Sequence, residues 1–142
     1  MTDALVDKAR TAGLVWFGRV LSGLVIAFMV FDGAIKLPPL DVVTQTMTEM
    51  GWPADPATAR LLGVIGLIST MLYAFPRTAL LGAVLLTGYF GGAIATHVRI
   101  SSPLFSHELF GVYLGVMMWA GLWLRSPRLR AIFPVTRETG GP

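Results

Sequence analysis

Six ionisable residues and one tyrosine in this chain are of types suited to holding a polar group or moving a proton inside an apolar protein: Asp32, Lys36, Tyr89, His97, Arg99, His107 and Glu108. Asp32 and Lys36 stand one helical turn apart, so a carboxylate and an ammonium share one face. Tyr89, Ala93 and His97 recur every fourth residue, which sets a phenol and an imidazole along one side of a helix. Histidine titrates near neutral pH, so His97 or His107 suits donation to a carbonyl or an anionic group, while Asp32 or Glu108 suits taking a proton. The same residues also admit a purely structural reading. Asp32 with Lys36 or Arg99 would then be an ion pair tying helix ends, His97 would donate to a backbone carbonyl, and Glu108 would answer a helix N-terminus. Two histidines and carboxylates are also ligand types for zinc or iron. No stretch carries H-x-x-x-H or E-x-x-H spacing, so no metal is expected.

The elements that must position these groups follow from composition. Of 142 residues, 54% are hydrophobic and 13% charged, against about 25% charge in soluble domains. The mean hydropathy is +0.68. A domain this small leaves much of its surface in water and cannot hide so much apolar area there. A water-soluble enzyme, a disordered tail and a nucleic-acid binder are therefore excluded, and the absence of cysteine removes disulfide scaffolds and dithiol chemistry. A spanning helix needs roughly 20 mostly apolar residues. Residues 13–35, 57–75, 78–98 and 105–124 meet that length, with a basic tail at 125–142. The expected fold class is all-α: a single membrane domain, 1–142, built as an antiparallel four-helix bundle. The first apolar stretch exceeds the roughly 7–15 residues of a signal-peptide core, so it reads as a retained span.

An even number of spans puts both termini on one side. Lys8, Arg10, Arg77, Arg125, Arg128, Arg130 and Arg137 fall there, while Lys36, Arg60 and Arg99 fall opposite and Arg19 lies within span one, placed to snorkel. The positive-inside rule then assigns the termini to the cytoplasm and the chain to a bacterial cytoplasmic (inner) membrane, in contact with its lipids. Asp32, Lys36, His97, Arg99, His107 and Glu108 all gather at the outer end. Between spans one and two, Leu40, Val43, Met47 and Met50 recur at helical spacing, followed by Gly51-Trp52-Pro53. This predicts a short interfacial helix and a turn, either shielding the bundle end or forming a lid over a site.

Gly88 with Gly92, and Gly111 with Gly115, have the small-xxx-small spacing that lets helices approach closely, and packing is the expected role of all four. Gly63 and Gly66 in span two are also small. Met29, Met117, Met118 and Trp119 read as core. The segment after Leu124 is basic and amphipathic, as expected of an anchor on the cytoplasmic leaflet.

Several strings resemble a known family. Pro76-Arg77-Thr78-Ala79, Leu86-Thr87-Gly88-Tyr89 and Gly91-Gly92-Ala93-Ile94-Ala95-Thr96-His97-Val98-Arg99 are similar to the DoxX-like family of small four-span membrane proteins. Phe31-Asp32-Gly33 with Lys36-Leu37, Gly51-Trp52-Pro53, Phe105 with His107, and the stretch from Trp119 to Arg130 extend the likeness over most of the chain. The family takes its name from a subunit associated with quinone-reducing sulfur oxidation and terminal oxidases. The resemblance thus implies a quinone-linked or accessory-subunit role, with quinone as the implied cofactor. Many relatives carry a glutamate where this chain has Gly66, which weighs against an acid site there. Three functions stay open: an accessory subunit packed against other membrane subunits or itself, a quinone-binding oxidoreductase component with a polar outer site, and a small transporter or lipid-binding protein. The residues form no complete catalytic constellation, so enzymatic activity is left open.

Overall fold

The computed structural model describes residues 2–38, 40–53, 55–103 and 109–132. They form six helices: α1 (Thr2–Ile35), α2 (Asp41–Glu49), α3 (Pro56–Ala74), α4 (Ala79–Arg99), α5 (Phe110–Arg125) and α6 (Pro127–Ile132). No strand occurs among the described residues. Three helices are long and apolar enough to cross a membrane, over Leu5–Ile35, Pro56–Ala74 and Ala79–Arg99, and Phe110–Arg125 is a shorter apolar helix. The start expected for the fourth span, including His107 and Glu108, lies outside the described residues. At the other end, α1 begins well before the apolar stretch, because the polar run around Lys8 and Arg10 contains no helix breaker.

Local signals set the remaining boundaries. Asp55 caps α3 by accepting from the Ala57 N–H at 3.0 Å, and Pro56 follows at the first helical position, where its missing N–H costs nothing. Asp55→Ala is expected to lower stability by about 1 kcal/mol, and Asp55→Asn to leave it nearly unchanged. Unfolding midpoints of the detergent-solubilised variants check both.

Only a short turn joins α3 to α4, and the Thr78 hydroxyl closes it by donating to the Leu72 carbonyl at 2.7 Å. Helix α1 packs on α3 and α5, and α4 packs on the same two helices. Contacts between neighbours run in opposite chain order. Gly18 meets Leu124 and Gly121 while Phe28 stacks edge-on to Phe110 at 5.1 Å. Gly33 likewise meets Gly63, and Ser22 bonds Tyr73.

One half of the bundle is solid. Val25, Met29, Tyr73, Leu86, Met118 and Leu122 are buried there. The Tyr73 hydroxyl donates to the Met118 carbonyl at 2.8 Å and accepts from Ser22 Oγ at 2.9 Å, tying α1, α3 and α5 with both hydroxyls satisfied. Arg125 closes this end: its Nη2 donates to the Tyr73 carbonyl at 3.1 Å and its guanidinium lies 5.0 Å from the Tyr73 ring. Outside this core the surface is apolar, with Leu24, Phe31, Leu81 and Val84 all exposed. No aqueous solvent suits such a surface, but lipid does. The chain is an integral membrane protein in lipid contact.

Candidate functional site

The other half of the bundle is hollow. A cavity of about 690 Å³ opens between α1, α3, α4 and α5, beneath α2. That volume falls in the range of about 300–1,000 Å³ typical of small-molecule sites. The space stays open because the side chains beside it are small: Gly88, Gly92 and Ala93 on α4 face it, where the solid half has Leu86 and Tyr73. Phe28, Met29, Ile65, Leu85, Ile94 and Leu114 make most of the wall apolar, and Thr46, Met47, Met50 and Trp52 form a roof.

This corrects the expected packing role of Gly88 and Gly92. A methyl on either would meet nothing within 4 Å, because these glycines face the cavity rather than a neighbouring helix. A methyl on Gly115 would make only ordinary contact, 3.9 Å from Phe90, while one on Gly111 would stand 2.9 Å from Ile94. The closest approaches fall instead at Gly18, Gly33, Gly63, Gly82 and Gly121.

Three polar side chains meet on the cavity wall. Lys36 Nζ lies 2.5 Å from Asp32 Oδ2 and donates to Tyr89 Oη at 3.0 Å. Tyr89 Oη in turn donates to Asp32 Oδ2 at 3.3 Å. The ion pair is the one that helical spacing predicts, and Tyr89 joins it across the bundle from α4. The Lys36 and Asp32 side chains keep only 17% and 26% of their exposure, so the pair is weakly solvated. Burial acts to lower the Lys36 pKa, but the adjacent Tyr89 oxygen and the Asp32 carboxylate outweigh it, and the net shift is upward. Lys36 therefore stays an ammonium at neutral pH. It has three N–H donors, of which Asp32 and Tyr89 engage two. The cluster is close to neutral overall and offers the cavity a donor.

The other candidates divide. His97 lines the cavity, with Nδ1 3.1 Å from Ser102 Oγ. Arg99 stands apart from the ion pair: its Nη2 donates to the Met50 carbonyl at 2.7 Å, at the end of α2. His107 and Glu108 lie outside the described residues. Among the described residues no group of three or more histidines, cysteines or acids could hold a metal ion. The roof residues Thr46, Met47, Met50 and Trp52 were not among the sequence candidates, although the apolar spacing of α2 marks the face that Met47 and Met50 share.

Residues 20–121, from the first span through most of α5, match the sequence model of the DoxX-like family. The chain belongs to the DoxX-like family. The match spans all three members of the Asp32–Lys36–Tyr89 cluster and the whole cavity wall. No curated protein and no solved structure matches this DoxX-like chain. Its site must be judged on its own chemistry.

Proposed function

We propose that this DoxX-like protein is an antiparallel four-span bundle of the bacterial cytoplasmic membrane, with cytoplasmic termini, that binds a quinone as an accessory component of a larger electron-transfer complex. One observation carries the ligand: an apolar cavity of about 690 Å³ whose wall bears the Asp32–Lys36–Tyr89 cluster. Such a cluster in an apolar cavity matches a ligand with an apolar body and a neutral hydrogen-bond acceptor. An anion would add a charge to a cluster that already balances, and a plain hydrocarbon would leave the ammonium unserved. A lipophilic carbonyl compound of the quinone class satisfies both conditions.

Bound quinone supplies two-electron, two-proton redox chemistry. The protein's part is to bind and orient. Lys36 would donate to a carbonyl oxygen, Asp32 keeps Lys36 charged, and Tyr89 stands beside both with a hydroxyl that can hold a proton. Electrons would come from a partner subunit, which is why an accessory role fits better than a complete enzyme. The antiparallel four-span reading is supported by the opposite chain order of the neighbour contacts. The cytoplasmic placement of the termini is supported by the excess of arginine and lysine on their side.

Trp52 lies in the cavity lining, so a short-chain ubiquinone analogue should quench its fluorescence saturably in nanodisc-embedded protein, and Trp52→Phe should remove that component. Gly88→Leu tests the location. Because a Cβ there meets nothing within 4 Å and Gly88 lines the cavity, the fold should survive while leucine fills the space, and affinity should fall at least tenfold (about 1.4 kcal/mol). Absence of saturable quenching in the unaltered protein would refute quinone binding. Displacement of the quinone by ordinary phospholipid at equal affinity would move the reading to lipid binding.

A further inference from the structure

Among the described residues, the three basic side chains at the cavity end of the bundle each hold a definite partner. Lys36 belongs to the cluster on the wall. The other two hold backbone carbonyls at the two ends of the segment that roofs the cavity. Arg60 Nε, on α3, donates to the Leu37 carbonyl at 3.0 Å, ahead of α2. Arg99 Nη2, on α4, donates to the Met50 carbonyl at 2.7 Å, just past α2. Between these bonds, α2 presents Met47, only 3% exposed, to the interior, while Val42 is exposed above. Among the long helices α2 packs chiefly on α3.

We propose that residues 41–53 form a hinged lid over the cavity and that Arg99 is its latch. The lid rests on the ligand reading above only for what passes beneath it. The end held by Arg99 is built to turn. Gly51 has φ +75, a left-handed conformation that closes the helix through Gly51 N–H to the Thr48 carbonyl at 2.8 Å and Trp52 N–H to the Met47 carbonyl at 2.9 Å. Glycine suits this left-handed turn, and a Cβ there would stand 3.0 Å from Arg99 Nη2, so the guanidinium would have to give way. Beside this bond lies a second cavity of about 370 Å³, lined by Gly51, Trp52, Ala95, Thr96 and Arg99. It gives the guanidinium room to leave the Met50 carbonyl without displacing packed side chains. Arg60 holds the opposite end, so release of Arg99 swings Met47, Met50 and Trp52 away from the cavity while the chain stays tethered. An arginine on a single carbonyl suits a latch, because the bond is strong enough to close the lid, yet water can replace either partner's share.

The absence of native cysteine makes a direct test available. Single cysteines are placed at Met47→Cys, on the buried face of the lid itself, and at Ser69→Cys, on the cavity wall and 3% exposed. Labelling by a membrane-impermeant methanethiosulfonate is then timed in the full chain in nanodiscs. Adding Arg99→Met should speed labelling at both positions at least tenfold, and Arg99→Lys, which keeps a donor, should remain within threefold of the parent. Gly51→Ala, which strains the turn and crowds the latch, should also speed it and serves if Arg99→Met fails to fold. Unchanged rates at both positions, in variants with the parental melting temperature, would overturn the lid. No quinone is needed for this measurement. Unmoved labelling in a protein that binds quinone discards the lid alone, and accelerated labelling in one that does not bind it discards the ligand alone.

Discussion

Gly82→Ala should abolish the folded protein. The methyl added at this position would sit 2.5 Å from Tyr73 Cα and 2.7 Å from the Leu72 carbonyl carbon, both backbone atoms of α3. A flexible side chain could swing aside, but helix backbone cannot. The two helices would have to part just after their shared turn, and the parting would fall on Tyr73. That residue is fully buried and carries the bonds to Ser22, Met118 and Arg125 that tie three helices. Overpacking alone costs about 1–3 kcal/mol, and loss of the Tyr73 bonds adds about 1 kcal/mol each. The expected sum, about 4 kcal/mol or more, approaches the whole stability of a small domain. The check is the yield of monodisperse protein after detergent extraction together with its melting temperature. Gly91→Ala, where a methyl meets nothing within 4 Å, should behave as the unaltered protein. A Gly82→Ala protein that melted with the parent would show that the α3–α4 crossing is not as close as described.

The contrast between Gly82 and Gly88 shows what a sequence can and cannot disclose. Small-xxx-small spacing marks Gly88 and Gly92 as places where something approaches a helix closely, but the spacing is the same whether the visitor is another helix or a cavity. Which one depends on how far α4 is rotated, and rotation is set by residues on three other helices. Gly82 has no glycine at that spacing, only Thr78 four residues before it, and so stands out less, although a Cβ there would make the tightest contact of all. Local relations were legible for the opposite reason. Asp32 and Lys36 need only their own helix to meet, Asp55-Pro56 only its own turn, and the apolar spacing of residues 40–50 only the face of α2. Tyr89 was readable as a candidate but not as the third member of the cluster, since its partners lie more than fifty residues away and meet it only through interhelical register. Arg99 misled by depth: it stands ten residues, about 15 Å, beyond Tyr89 along α4, and its reach takes it to the Met50 carbonyl rather than to Asp32.

Removing the Lys36 ammonium should separate stability from binding. In Lys36→Met the Asp32 carboxylate keeps only Tyr89, at 3.3 Å, beside a largely apolar cavity. An unpaired charge within a bundle in lipid is costly, about 2.5–3.5 kcal/mol at a span's centre, and the 26% exposure of Asp32 near the span's end reduces that to about 2 kcal/mol. The double variant Asp32→Asn/Lys36→Met removes both charges and should regain most of the lost melting temperature. It should not regain the ligand, because the donor to the carbonyl is gone in both. A hydrogen bond from a charged donor contributes about 1.5–3 kcal/mol, so quinone affinity should fall about a hundredfold in Lys36→Met and remain low in the double variant. Asp32→Asn alone keeps the ammonium and should bind more tightly than either. The measurement is a set of quenching titrations paired with melting curves on the same four proteins. If the double variant recovered binding along with stability, Lys36 would be serving the helix end rather than a ligand. The cluster would then be a structural ion pair that happens to face a cavity.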